Sequence, residues 1–206
     1  MVHTYSELWH ASSVLLSVGE REVRGSSYQF LSSIILTAVS FEAYLNHVGA
    51  SVSKSWKGLE PLSPSAKLDL LCELLRVDLP SDKGSRPRQT ITELFNFRNA
   101  LAHGRSETIQ PKAEIVAADA LDQHISRPLR KQWERSIQNA DFANRAREDA
   151  KAIMTLLHNA SPEPKEGLLS FGAGMPRGCR SADADRRIWP RPDDGAYCDD
   201  ASASSA

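Results

Sequence analysis

Three side chains able to do chemistry stand close together in the segment ITELFNFRNALAHGRSE, residues 91–107: Arg98, Asn99 and His103. Apolar residues at Ile91, Leu94, Phe95, Leu101 and Ala102 recur at helical spacing, so the segment reads as a helix with one face turned inward. Position 98 belongs to that stripe, and a guanidinium there is costly unless it is paired or lines a cleft. Gly104 follows His103 directly and is a common helix stop, which places the imidazole in the last turn. Metal-free cleavage of RNA asks for groups of these kinds. A base of near-neutral pKa takes the 2′-hydroxyl proton, which suits histidine. A planar cation holds the phosphorane-like charge, which suits arginine. The structural alternative is a histidine resting on the helix dipole beside a buried arginine ion pair, with no chemistry.

Helix geometry limits how these groups meet. At about 100° per residue, Arg98 and His103 lie roughly 140° apart around the axis, whereas Asn99 and His103 lie only about 40° apart. One chain joins all three only if Arg98 reaches around or the last turn loosens. A second copy of the helix across a two-fold axis would add more such groups to one surface.

The elements that must position them can be read from the same periodicity. Residues 26–51 form the strongest helix, with Leu31, Ile34, Ile35, Ala38, Phe41, Leu45 and Val48 on a wide apolar face and Ser26 or Ser27 as N-cap. The faces over 31–45 and 91–102 are the two most apolar stripes and are expected to pack on each other. Glu42 and Asn46 sit one turn apart on the margin of the first. Either both point to water or one meets Arg98; Glu42 is the expected partner and Asn46 the fallback. A helix over 5–23 places Leu8, Val14, Leu15 and Val18 at roughly helical spacing, and Gly25 closes it. Ser63-Pro64 starts another, carried by leucines to about Val77, with Pro64 suited to the first turn. The loop 78–88 holds Lys83, Arg86 and Arg88, either solvated or gathered on a phosphate near His103. Residues 107–118 suggest a short extended segment, 120–128 a short helix, and 129–158 one long helix or two broken near 139–141. In this last stretch Trp133, Ile137, Phe142, Ala146, Ala150, Ile153, Leu156 and Leu157 suggest one face against the bundle.

From residue 161 the composition shifts: five prolines and five glycines fall in this last quarter, which ends in ASASSA. It reads as a disordered tail, 161–206, behind one helical domain, 1–160. The whole chain of 206 residues is 41% hydrophobic and 25% charged, ordinary for a soluble globular protein. Its net charge is −1, and residues 1–160 carry 19 basic and 18 acidic side chains, so no global field announces a nucleic acid or a membrane. Three cysteines, Cys72, Cys179 and Cys198, form no evident disulfide framework, and the first ten residues do not read as a signal peptide. A cytoplasmic protein is expected. HExxH, paired CxxC, Walker and Rossmann patterns are absent, so neither metal nor cofactor is expected.

RNALAHG at 98–104 resembles the R-x4-6-H motif of the HEPN superfamily, with Asn99 as the polar residue that often follows the arginine. FEAYLN at 41–46, on the preceding helix, is also similar to HEPN proteins, and the resemblance covers about residues 25–158. It implies an all-α, up-and-down bundle of four or five helices, commonly a homodimer. It also implies a metal-independent endoribonuclease acting on RNA, with Arg98 and His103 catalytic, Asn99 assisting, and no cofactor. Many HEPN domains are toxins of toxin–antitoxin pairs or phage-defence components, so an antitoxin or a nucleotidyltransferase-like partner follows as an expectation. Others are silent and bind a protein or nucleotide partner, which is the alternative function.

Overall fold

The computed structural model describes residues 3–79, 84–104, 132–162 and 167–170. The described residues are all-helical, with seven helices. These are α1 (Thr4–Arg21), α2 (Ser26–Val52), α3 (Trp56–Leu59), α4 (Pro64–Leu75), α5 (Arg88–Ala102), α6 (Gln132–Arg135) and α7 (Asp141–Ala160). Helices α3 and α6 are single turns, so five longer helices make the bundle. None is long and apolar enough to cross a membrane. The expected extended segment at 107–118 and the short helix at 120–128 lie outside the described residues, as do Lys83, Cys179 and Cys198.

Helix α2 is central because it is buried around much of its circumference: Ile34, Ala38, Phe41 and Leu45 are fully enclosed. Antiparallel to it runs α1, matching Tyr5 with Tyr44, Ser12 with Ser33 and Gly19 with Phe30. The two helices pack closely because small residues line the seam. Ser12 bonds the Ser33 carbonyl at 3.0 Å and the Thr37 hydroxyl at 2.7 Å, and Ser40 donates to the Tyr5 carbonyl at 2.6 Å. Each buried hydroxyl is thereby satisfied, which such a seam requires. The core face of α1 is therefore Tyr5, Trp9, Ser12, Leu16 and Gly19. The expected apolar positions are not the ones that pack: Val14 is 48% exposed, and Leu8, Leu15 and Val18 are only half-buried.

Helix α7 fills the groove between α1, α2 and α5. Tyr44 donates its hydroxyl to the Met154 carbonyl at 3.0 Å, and the Arg147 guanidinium stacks 4.3 Å over Trp9 while bonding Ser12 and the Trp9 carbonyl. Burial pulls the Arg147 pKa down to about 10. From residue 132, where description resumes, the expected break is present: α6 ends at Arg135 and α7 starts at Asp141, so the break spans 136–140, beginning earlier than the expected 139–141. The buried face of α7 includes Ala143 and Met154 rather than Leu156, which is 44% exposed. Residues 167–170, within the stretch read as disordered, lie against α1: Leu169 accepts a bond from Ser6 at 2.9 Å, and Leu168 and Leu169 pack on the core.

The local starts and stops follow backbone chemistry. Ser63 caps α4, its hydroxyl accepting from Ala66 N–H at 3.2 Å, with Pro64 in the first turn. For α2 the N-cap is Gly25, not a serine; its φ of +80° turns the chain out of α1 in the left-handed region that glycine tolerates. Gly49 permits a close approach. A Cβ there would fall 1.9 Å from the Trp56 indole, which lies flat on the α2 backbone.

Candidate functional site

The motif helix α5 lies against α2 and α7. Ile91 and Leu94 point into the core, and Phe95 meets Phe41 with ring centres 6.2 Å apart, so the 31–45 and 91–102 faces do pack together. Phe97 is buried as well, against Phe142 of α7, while Ala102, expected on the inner stripe, is exposed. The fully buried residues of α5 thus end at Phe97; in the motif beyond it Leu101 still packs on the core, while Asn99, Ala100 and residues 102–104 emerge into solvent.

Arg98 stands at that point of emergence, 34% exposed. Its Nη2 donates to Glu42 Oε2 at 3.1 Å, and its Nη1 donates to Asn99 Oδ1 at 2.9 Å. Glu42 is therefore its partner, as its place on the margin of α2 suggests. Asn46 is not: its side-chain oxygen accepts from Trp56 Nε1 at 3.4 Å. Among the described residues these two bonds are the only ones that Arg98 makes, so three of the five guanidinium N–H groups stay open.

The other oxygen of Glu42 is also taken. Lys67 of α4, only 1% exposed, donates Nζ to Oε1 at 3.1 Å. Glu42 thus ties together α2, α4 and α5, a three-helix joint absent from the reading of the sequence. The signal was available: Lys67 stands four residues before the buried Leu71, a charge in an apolar stripe like Arg98.

His103 is the C-cap of α5, one step beyond the last turn. Its N–H bonds the Asn99 carbonyl at 2.9 Å, which keeps the two residues on one side of the helix end. The imidazole is exposed and makes no side-chain hydrogen bond or ion pair among the described residues. Gly104 does not adopt the left-handed stop; it lets the chain pass where a Cβ would lie 3.0 Å from the Ala100 carbonyl. The structure thus gathers Arg98, Asn99, Glu42 and Lys67 by direct bonds. It leaves His103 joined to them through the Asn99 backbone.

The two loop cations among the described residues, Arg86 and Arg88, do not gather here. Arg86 bonds both oxygens of Asp149, at 2.8 and 2.9 Å, and also Glu148, while Arg88 pairs with Asp69. Bonds to Asp149 and then Glu148 hold the Arg86 pKa above its ordinary value. Burial pushes the Asp149 carboxyl up, but bonds from Arg86 and Thr90 outweigh it and hold the pKa below the usual carboxylate range. Cys72 is a buried free thiol, its pKa raised by that burial, and it serves as a small core residue.

In chemical terms, the site offers an anchored guanidinium with open donors, an amide beside it, and a solvated imidazole at the same helix end. The fold class is an all-helical bundle. No protein-family model, no curated protein and no solved structure matches the chain.

Proposed function

We propose that the protein is a metal-independent RNA endonuclease of the HEPN type. In this reading Arg98 clamps the scissile phosphate, His103 carries the proton, and Asn99 holds the guanidinium toward the histidine side. The observation that carries the reading is the bonding of Arg98: two donors fix it to Glu42 and Asn99, and three remain for phosphate oxygens. The 2′-oxygen attacks phosphorus as His103 takes its proton; the phosphorus–5′-oxygen bond breaks, and the 5′-oxygen leaves with a proton from water. The products are a 2′,3′-cyclic phosphate and a 5′-hydroxyl end. Histidine suits that transfer because its ordinary pKa is close to neutrality.

Exposed His103 and half-buried Arg98 diverge around the helix, which favours a homodimer in which two copies of the motif share one cleft. We also propose a cytoplasmic site of action and a toxin or defence role. An antitoxin or a nucleotidyltransferase-like protein would be the partner.

The test is cleavage of total RNA by wild-type and His103→Ala protein, with and without EDTA. The wild type should cut in EDTA and leave cyclic phosphate ends, and a 2′-deoxy substitution at the scissile nucleotide should block it. Equal cleavage by both proteins, or full dependence on a divalent ion, sinks the mechanism. A stable protein that cuts nothing and holds a tight partner is the silent binding module instead.

A further inference from the structure

Lys67 has no part in the chemistry above, yet its ammonium is enclosed almost completely, and a buried charge is expensive. Its single acid is Glu42, and that carboxylate is also the single acid of Arg98 among the described residues. A carboxylate left alone with an arginine tends to form a fork, two parallel N–H bonds that neutralise the guanidinium. Here the fork is not made. Glu42 gives Oε1 to Lys67 and Oε2 to Arg98, each at 3.1 Å.

We propose that Lys67 is a positioning residue: by holding one oxygen of Glu42, it keeps Arg98 anchored but open to a phosphate group. Two cations share one anion, so the joint keeps one positive charge, placed where α5 emerges from the bundle. Glu42 is 23% exposed and Arg98 34%, whereas Lys67 is sealed off. The surplus charge is therefore presented to solvent through Arg98. With Lys67 removed, both oxygens of Glu42 turn to Arg98, the pair becomes neutral, and one of the three open N–H groups is drawn away from a phosphate.

This inference deepens the reading of Arg98 as a phosphate clamp and rests on it. It is tested without cleavage, by titrating inorganic phosphate into protein carrying isotope-labelled arginine and following the Arg98 Nε–H resonance by NMR. The wild type should bind with a saturable shift. Lys67→Met, which fills the same space and leaves a solvent-accessible pair, should weaken phosphate binding about tenfold, as expected for one unit charge near the ligand. The double variant Glu42→Gln/Lys67→Met restores the net positive charge and frees Arg98, so it should recover wild-type affinity or better. A lysine that served only stability would leave the phosphate affinity of folded Lys67→Met protein at the wild-type value. The inference is overturned if the wild-type resonance does not move, if Lys67→Met binds as the wild type does, or if the double variant stays as weak as the single one. A wild type that binds phosphate at Arg98 and cuts no RNA keeps this inference and loses the nuclease reading.

Discussion

Arg98 and Glu42 meet across 3.1 Å, joining α5 to α2 one residue after the last buried side chain of α5, Phe97. The pair sits on the boundary between core and solvent, so it can fix the guanidinium on one side and leave it open on the other. Its carboxylate also neutralises Lys67, which makes Glu42 the residue on which the joint depends.

Glu42→Gln should therefore be strongly destabilising. It strands a fully buried ammonium, and breaking a buried pair in this way costs about 3–5 kcal/mol. Adding Lys67→Met removes the stranded charge and should return most of the loss. Urea unfolding of the two variants and the wild type measures this; a Glu42→Gln protein as stable as the wild type contradicts the joint.

His103→Ala should be silent in the fold and loud in the assay. The imidazole is exposed and makes no bond among the described residues, so unfolding free energy should stay within about 0.5 kcal/mol of wild type. The rate of RNA cleavage should fall at least about a hundredfold, the lower end for one acid–base group. Single-turnover rates alongside a melting curve separate the two effects.

Gly49→Ala should damage the bundle without touching the motif. The new methyl would overlap the Trp56 ring, which also bonds Asn46, so the indole must leave its seat on α2. Overpacking of this kind costs about 3 kcal/mol. A melting temperature equal to that of wild type would show that Trp56 moves aside freely.

Asp149 should make the α5–α7 contact acid-sensitive. Its folded pKa is lowered, so its stabilising contribution is complete above the ordinary carboxyl value of about 3.9 and is lost as pH falls through the lowered folded value. Asp149→Asn should flatten the stability profile in that acidic window and lower stability at neutral pH. Unfolding free energies measured from pH 2 to 7 test the sign; stability of the wild type that rises on acidification reverses it.

Much of the site was legible in the chain because the rules involved are local. A period of 3.6 marks α2 and α5, and the cost of burying a guanidinium marks Arg98 and demands an acid near it. Glu42 followed from its place on the margin of the facing helix. Lys67 carried the same local mark as Arg98, but its meaning depended on which helix faced it.

What tertiary structure decided was the direction of each face. The sequence by itself determined that α1 is a helix, but its aliphatic residues Val14, Leu15 and Val18 are not its core. Ser12 and Gly19 are, because α2 presents Ser33 and Thr37 to the first and Phe30 to the second and the two backbones close on one another. Small polar residues count as interior only when a partner satisfies their hydroxyls, and no single helix contains that partner. Likewise, one carboxylate on α2 could be shared between α4 and α5 only after packing brought three distant segments to the same point. Periodicity is a property of a segment; the sharing of a buried charge is a property of the space between segments.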